Sequence, residues 1–236
     1  MEKYRRYFER FPPCAWRGPT FVRDSLVEAD GAFCPDSLHK VYDVQVIKSD
    51  YLIRNIDQAF EVWRGQPWGR NVAFADFLEF ILPYRVGTET LADWRQEVYD
   101  RYNPMLDSIR ASADSTDVLA VAQALMDSLS VGTVYFTGLF PSGITVGSDL
   151  VVWRSGNCRE LTDLVTYVFR ALGIPGGCDK MLMRGDKNVA HYWNFVVDGE
   201  DSTYFASIGQ SSKQFAKADT YWDPKGKVYR ETFSLN

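Results

Sequence analysis

From Ser49 onward the apolar positions recur at helical spacing, whereas the 48 residues before it show no such period. Phe11-Pro12-Pro13, Arg17-Gly18-Pro19 and Cys34-Pro35-Asp36 are turn signals with no long periodic segment between them, so residues 1–48 read as an irregular N-terminal arm. Leu52, Ile53, Ile56, Ala59, Phe60 and Trp63 then fall on one helical face, with Asp50 as N-cap and an end near Gly65. The same spacing predicts helices over 73–82, stopped by Pro83, over 91–102, and over 117–129 with Val118, Val121, Ala122, Leu125 and Leu129 inward. Residues 49–131 therefore read as a helical annex.

After Gly132 the pattern changes. Residues 134–137 read as a short strand and 140–149 as a loop rich in Gly, Pro and Ser. Leu161, Leu164, Val165, Val168, Phe169 and Leu172 then follow the i, i+3, i+4, i+7 rule, and Gly173 and Pro175 end that helix. Residues 181–183 and 189–197 read as strands joined by a turn at Gly185-Asp186-Lys187. In the second strand Val189, His191, Trp193, Phe195 and Val197 share one face, and Ala190, Tyr192, Asn194 and Val196 the other. The fold class is α+β: a helix packed on an antiparallel sheet over residues 132–236, forming one unit with the annex.

Composition narrows the function classes. With 46% hydrophobic residues and 15% aromatic ones, the 236-residue chain has the makings of a packed globule. A net charge of −5 and no Lys/Arg block exclude a nucleic-acid footprint. No apolar run approaches the roughly 20 residues of a membrane-spanning helix, so no membrane insertion is expected. The abrupt start and the strand-like 228–235 fit a fragment of a longer secreted protein. Cys14, Cys34, Cys158 and Cys178 lie far apart, with only His39 and His191 to join them, so a zinc site is not expected. No cofactor is expected either: 138–147 lacks the signature of a phosphate loop, and the carboxylates form no privileged glycosidase pair. Cys14 and Cys34 are a conceivable disulfide in an oxidising compartment, though nothing in the pattern requires it.

The chemistry lies in Ser155-Gly156-Asn157-Cys158-Arg159-Glu160. Asn157 as N-cap and Glu160 three residues later form a capping box, which puts Cys158 in the first helical turn. Unpaired N–H groups and the helix dipole favour a thiolate there, with Arg154 and Arg159 adding to the effect and Glu160 and Asp163 opposing it. His191, one imidazole on an otherwise apolar strand face, is the matching base. A space-filling cysteine and a core histidine are the bland readings of each alone; together they make a Cys–His pair.

Gly156-Asn157-Cys158-Arg159-Glu160, the helix ending Phe169-Arg170-Ala171-Leu172-Gly173-Ile174-Pro175, and His191-Tyr192-Trp193-Asn194 resemble the transglutaminase-like superfamily, whose core is papain-like. Residues 76–95 resemble the helical region before that core in large transglutaminase-like proteins of Bacteroidota. The resemblance implies a Cys158 nucleophile that forms a thioester, a His191 base, and a substrate that is a peptide, protein or glycoconjugate. It also implies an exported multidomain parent, periplasmic or at the cell surface.

A third member, an Asp on the strand after His191, is implied too, and this sequence departs from it. With Val197 paired to Ser202, Ile208 stands opposite His191 and Ala206 opposite Trp193. A one-residue slip brings Ser207 onto the His191 face. Three outcomes stay open: a dyad aided by Ser207 or a backbone carbonyl, a triad completed by Asp219 or Asp223, or an inactive module that binds peptide or glycan. Trp153, Asn157 and Trp193 are the candidate substrate-binding residues. Trp153 reads more readily as a core residue than as a pocket wall, and Asn157 is already a cap.

Overall fold

The computed structural model describes residues 40–135, 146–199, 203–206, 216–217 and 226–234. Cys14, Cys34, His39, Ser207, Asp219 and Asp223 lie outside them. A four-residue helix, α1 (Asp43–Val46), falls inside the segment read as irregular. Asp43 explains its place: its carboxylate accepts from Arg85 Nε at 2.7 Å and from Tyr84 Oη at 3.0 Å.

Helix α2 (Ser49–Gly65) ends where expected but has Lys48 rather than Asp50 at its N-cap, and it turns a different face inward. Tyr51, Asn55, Ala59 and Val62 are buried, and Ile53 and Ile56 are exposed. The helix is turned so that Asn55 reaches the annex interior, where Nδ2 donates to Leu82 O at 2.9 Å. A 3-10 turn (Pro67–Asn71) follows, and its Trp68 donates Nε1–H to Leu172 O at 3.0 Å. The helix expected over 73–82 is α3 (Phe74–Asp76) running into a π turn (Phe77–Ile81). Helix α4 (Arg95–Tyr102) starts later than the expected 91, because Trp94 before it is held by Tyr84 O at 2.9 Å. A 3-10 turn (Asn103–Leu106) and α5 (Asp107–Arg110) were not legible as elements. Helix α6 (Val118–Ser130) is capped by Asp117, whose side chain accepts from Ala120 N at 3.0 Å.

Strand β1 (Val134–Tyr135) pairs in parallel with β2 (Ser155–Gly156), with helix α7 (Leu150–Trp153) before β2. Helix α8 (Cys158–Leu172) leads into the five-stranded sheet, ordered β6-β5-β4-β3-β7. Its strands are β3 (Gly176–Met181), β4 (His191–Val197), β5 (Thr203–Ala206), β6 (Ala216–Lys217) and β7 (Val228–Arg230), all antiparallel to their neighbours. Strand β3 precedes the expected 181–183. Gly176 opens it, where the chain passes so close to its neighbours that a Cβ would lie 2.4 Å from Phe195 O and 2.7 Å from the Phe169 ring.

Helix α8 is buried from Glu160 to Leu172 and joins annex and sheet. One hydrophobic cluster runs from Ala59 through Val98, Leu125 and Phe169 to Val196. Two buried guanidiniums fasten the annex to α8. Arg95 donates to Asn55 Oδ1, Arg170 O and Ile81 O, each at 2.9 Å, and to the Leu82 and Pro83 oxygens at 3.2 Å. Arg170 donates to Phe80 O at 3.2 Å, Pro83 O at 3.3 Å and Arg85 O. The carbonyls that end the π turn lack helical partners and take these donors instead. Burial lowers the two guanidiniums to about 9 and about 10, so both remain cationic at neutral pH.

Candidate active site at the start of α8 and β4

The entry to α8 is built as the sequence implies. Arg154 ends α7 in the left-handed region at φ 50°, turning the chain into β2. Asn157 Oδ1 accepts from Arg159 N at 2.8 Å, and Glu160 Oε2 accepts from Asn157 N at 2.9 Å, closing the capping box. Gly156 is required by this closure: a Cβ there would lie 2.4 Å from Glu160 Cβ. Cys158 is the first residue of α8 and is half-buried.

The sheet meets α8 through one face of β4. Asn194 is buried on that face, and its Nδ2 donates to Thr162 O at 3.0 Å, Gly177 O at 3.2 Å and Thr166 Oγ1 at 3.3 Å. Tyr192 and Val196 share the Asn194 face, while His191, Trp193, Phe195 and Val197 take the other by alternation. His191 is the first residue of β4 and stands opposite Met181. The next residue along the strand meets the start of α8: the N–H groups of Tyr192, Arg159 and Cys158 itself lie close enough to the Cys158 sulfur to favour its thiolate. His191 is 2% exposed, and its ring centre lies 5.6 Å from that of Trp193.

Electrostatics correct one expectation. The helix start does favour the thiolate, but burial outweighs it and Glu160 opposes it, so the Cys158 pKa is raised. The arginines do not offset this. Arg154 donates to the Leu129 and Val131 oxygens, and Arg159 is paired with Asp163 and Glu231. Burial, and secondarily Arg184, lowers His191 to about 4. At neutral pH the resting pair is thus a thiol and a neutral imidazole.

That shift fixes a pH dependence of stability. The unfolded chain takes up the His191 proton near 6.5 and the folded chain only near 4, so this contribution is whole above about 6.5 and is lost as pH falls toward 4. Asp163, raised by burial to about 7, acts in the opposite sense over the same window. The difference between wild type and His191→Gln isolates the histidine: urea midpoints at pH 7 and pH 5 fall more in wild type than in the variant.

The β4–β5 register is the slipped one. Val197 pairs with Thr203, and Ala206 stands opposite Asn194, on the face away from His191, not opposite Trp193 as expected. Positions 203 and 205 stand on the His191 face, and neither is acidic. The carboxylate that does share this face is on the other neighbour: Asp179, opposite Trp193, which receives two hydrogen bonds of 2.8 Å from Arg230. Trp153 belongs to the main hydrophobic cluster at 2% exposure, and Trp193 is 5% exposed beside His191. Asp179 went unnoticed in the sequence, where Asp163 was read only as opposing the thiolate and Tyr192 only by its place in the β4 alternation and the motif. Among the described residues no group of three or more His, Cys, Asp or Glu could hold a metal ion, and no helix is long and apolar enough to cross a membrane.

No family model matches the chain, and no curated protein matches it. Among solved structures, the periplasmic domain of TgpA from Pseudomonas aeruginosa, bound to ethylmercury, is 14% identical, with a TM-score of 0.36 over 61% of this chain and 49% of its own. A candidate cysteine protease from Cytophaga hutchinsonii is 16% identical, with a TM-score of 0.40 over 73% of this chain and 58% of its own. The chain spans about half the length of each. Its own architecture is α+β, a helix opening on Cys158 packed against an antiparallel sheet whose strand β4 opens on His191.

Proposed function

We propose that the chain is a cysteine hydrolase acting on an amide or peptide bond, with Cys158 as nucleophile and His191 as base. The observation that supports it is the capped start of α8, which sets the thiol among three backbone N–H groups, one of them from Tyr192, the residue after His191 on β4. Because the pair rests uncharged, His191 takes the thiol proton as sulfur attacks the carbonyl carbon, rather than holding a preformed thiolate. The N–H groups at the helix start receive the oxyanion. Collapse of the tetrahedral intermediate breaks the C–N bond, the imidazolium gives its proton to the leaving amine, and a thioester remains on Cys158. Water attacks that thioester with His191 again accepting the proton, releasing the acid and restoring the thiol. Peptides, proteins or glycoconjugates outside the cytoplasm are the proposed substrates, and the chain is read as part of a longer exported protein.

A second reading, a catalytically impaired module that binds peptide or glycan, is favoured by the raised thiol pKa and by the absence of an acid at positions 203 and 205. Acylation by p-nitrophenyl acetate, located by peptide mapping, separates the two. The hydrolase reading expects an acetyl thioester on Cys158 that forms faster than on a free cysteine peptide and slows in His191→Ala. Acylation no faster than the peptide's, with no effect of His191→Ala, would falsify it and leave the binding module.

A further inference from the structure

Cys158 and His191 are each followed by a residue that touches the other's neighbour. The Arg159 guanidinium carbon lies 5.2 Å from the centre of the Tyr192 ring, within the range at which a cation is held by an aromatic face. Two further elements fix that guanidinium. Its Nε donates to Asp163 Oδ2 at 3.0 Å, one turn along α8, and its Nη1 donates to Glu231 Oε1 at 2.9 Å, just past β7. Glu231 in turn accepts from Lys180 Nζ at 2.8 Å, and Lys180 is the cross-strand partner of Tyr192. The clamp therefore closes a ring through α8, β7, β3 and β4. Its core is buried: the Asp163 side chain is 1% exposed and that of Arg159 22%.

We infer that Arg159 is a positioning residue, which holds the start of β4, and with it His191, against the start of α8 that carries Cys158. This rests on the Cys158–His191 reading above. Net charge does not explain the arrangement, because the two cations, Arg159 and Lys180, meet no excess of carboxylates in Asp163 and Glu231. Geometry does. A planar guanidinium reaches two carboxylates along its edges while its face stays on a ring, which a lysine ammonium cannot do. A displacement of about 1 Å at such a pair costs up to roughly a hundredfold in rate.

Alkylation of Cys158 by iodoacetamide, followed by peptide mapping across pH in the full chain, tests the inference without requiring a substrate. Arg159→Met and Tyr192→Leu are each expected to slow alkylation at pH 8 by about tenfold. His191→Ala, which slows the wild type, is expected to add nothing in either background. Tyr192→Phe keeps the ring and the wild-type rate, whereas Arg159→Lys keeps the charge and shows the loss. A wild-type rate in Arg159→Met, or full rescue by Arg159→Lys, overturns the positioning role. If circular dichroism shows Arg159→Met unfolded, the Tyr192→Leu and Tyr192→Phe pair decides in the same way. A wild-type chain whose alkylation ignores His191 means that the dyad itself fails. That result is distinct from one in which His191 matters and Arg159 does not, and either overturns the proposal.

Discussion

Arg95→Met is expected to lower the thermal midpoint by about 10 °C or more, the largest stability loss of any single substitution considered for this chain. Methionine nearly fills the volume, so the change removes donors more than packing. Five acceptors each lose one donor: Asn55 Oδ1, Arg170 O, Ile81 O, Leu82 O and Pro83 O. A buried acceptor left unsatisfied costs about 1–3 kcal/mol. Leu82 O keeps Asn55 Nδ2 and Pro83 O keeps Arg170, so the net loss is about 4 kcal/mol rather than the full sum. Against a total stability of about 5–15 kcal/mol this is severe. Arg54 supplies the control. It makes two ion pairs, with Asp50 and Asp93, but its side chain is half exposed and solvent screens both, so Arg54→Met is expected to leave the midpoint essentially unchanged. Differential scanning calorimetry of both variants checks the contrast, and an Arg95→Met midpoint within about 3 °C of wild type would show that the carbonyls find other donors.

The legible parts of this protein are those fixed by local chemistry. Asn157 and Glu160 announce a capping box three residues apart, and the observed bonds close it. The apolar spacing of α8 and the stop at Gly173, which has φ 74°, are likewise written in the neighbouring residues. Tertiary quantities were not legible. Helix α2 offers Ile53 and Ile56 as an apolar face, yet the fold turns Asn55 inward because Leu82 O and Arg95 need it there. The alternation of β4 names two faces but not which one meets α8, since nearly every residue of the strand is buried. The one-residue difference in the β4–β5 register follows from a turn whose composition allows either pairing. The ionisation of Cys158 went astray for a related reason: the helix start is visible in sequence, while the burial that overrides it depends on what packs around the thiol.

Under the proposed chemistry, His191→Ala is expected to reduce steady-state turnover by roughly a hundred- to ten-thousand-fold, the range spanned by a lost general base. The loss should fall unevenly on the two half-reactions. An activated ester needs no proton on its leaving group, so in the variant acylation loses only the base that takes the thiol proton, and Cys158 is acylated more slowly but still acylated. Hydrolysis of the thioester requires a base to take the proton from water, and His191 occupies that role. The variant should therefore give a burst of p-nitrophenol equivalent to one acyl group per chain and then stall, where wild type continues. The pH profile carries a second signature. Since burial lowers His191 to about 4, the imidazole stays neutral well below the usual histidine range, so the acid limb of kcat/KM lies near pH 4 to 5 instead of near 6.5. Stopped-flow measurement of burst and steady state across pH 4 to 8 reads both. An acid limb at 6.5 would place the catalytic histidine in a solvated setting that the buried start of β4 does not provide, and a variant that turns over like wild type would remove His191 from the chemistry altogether.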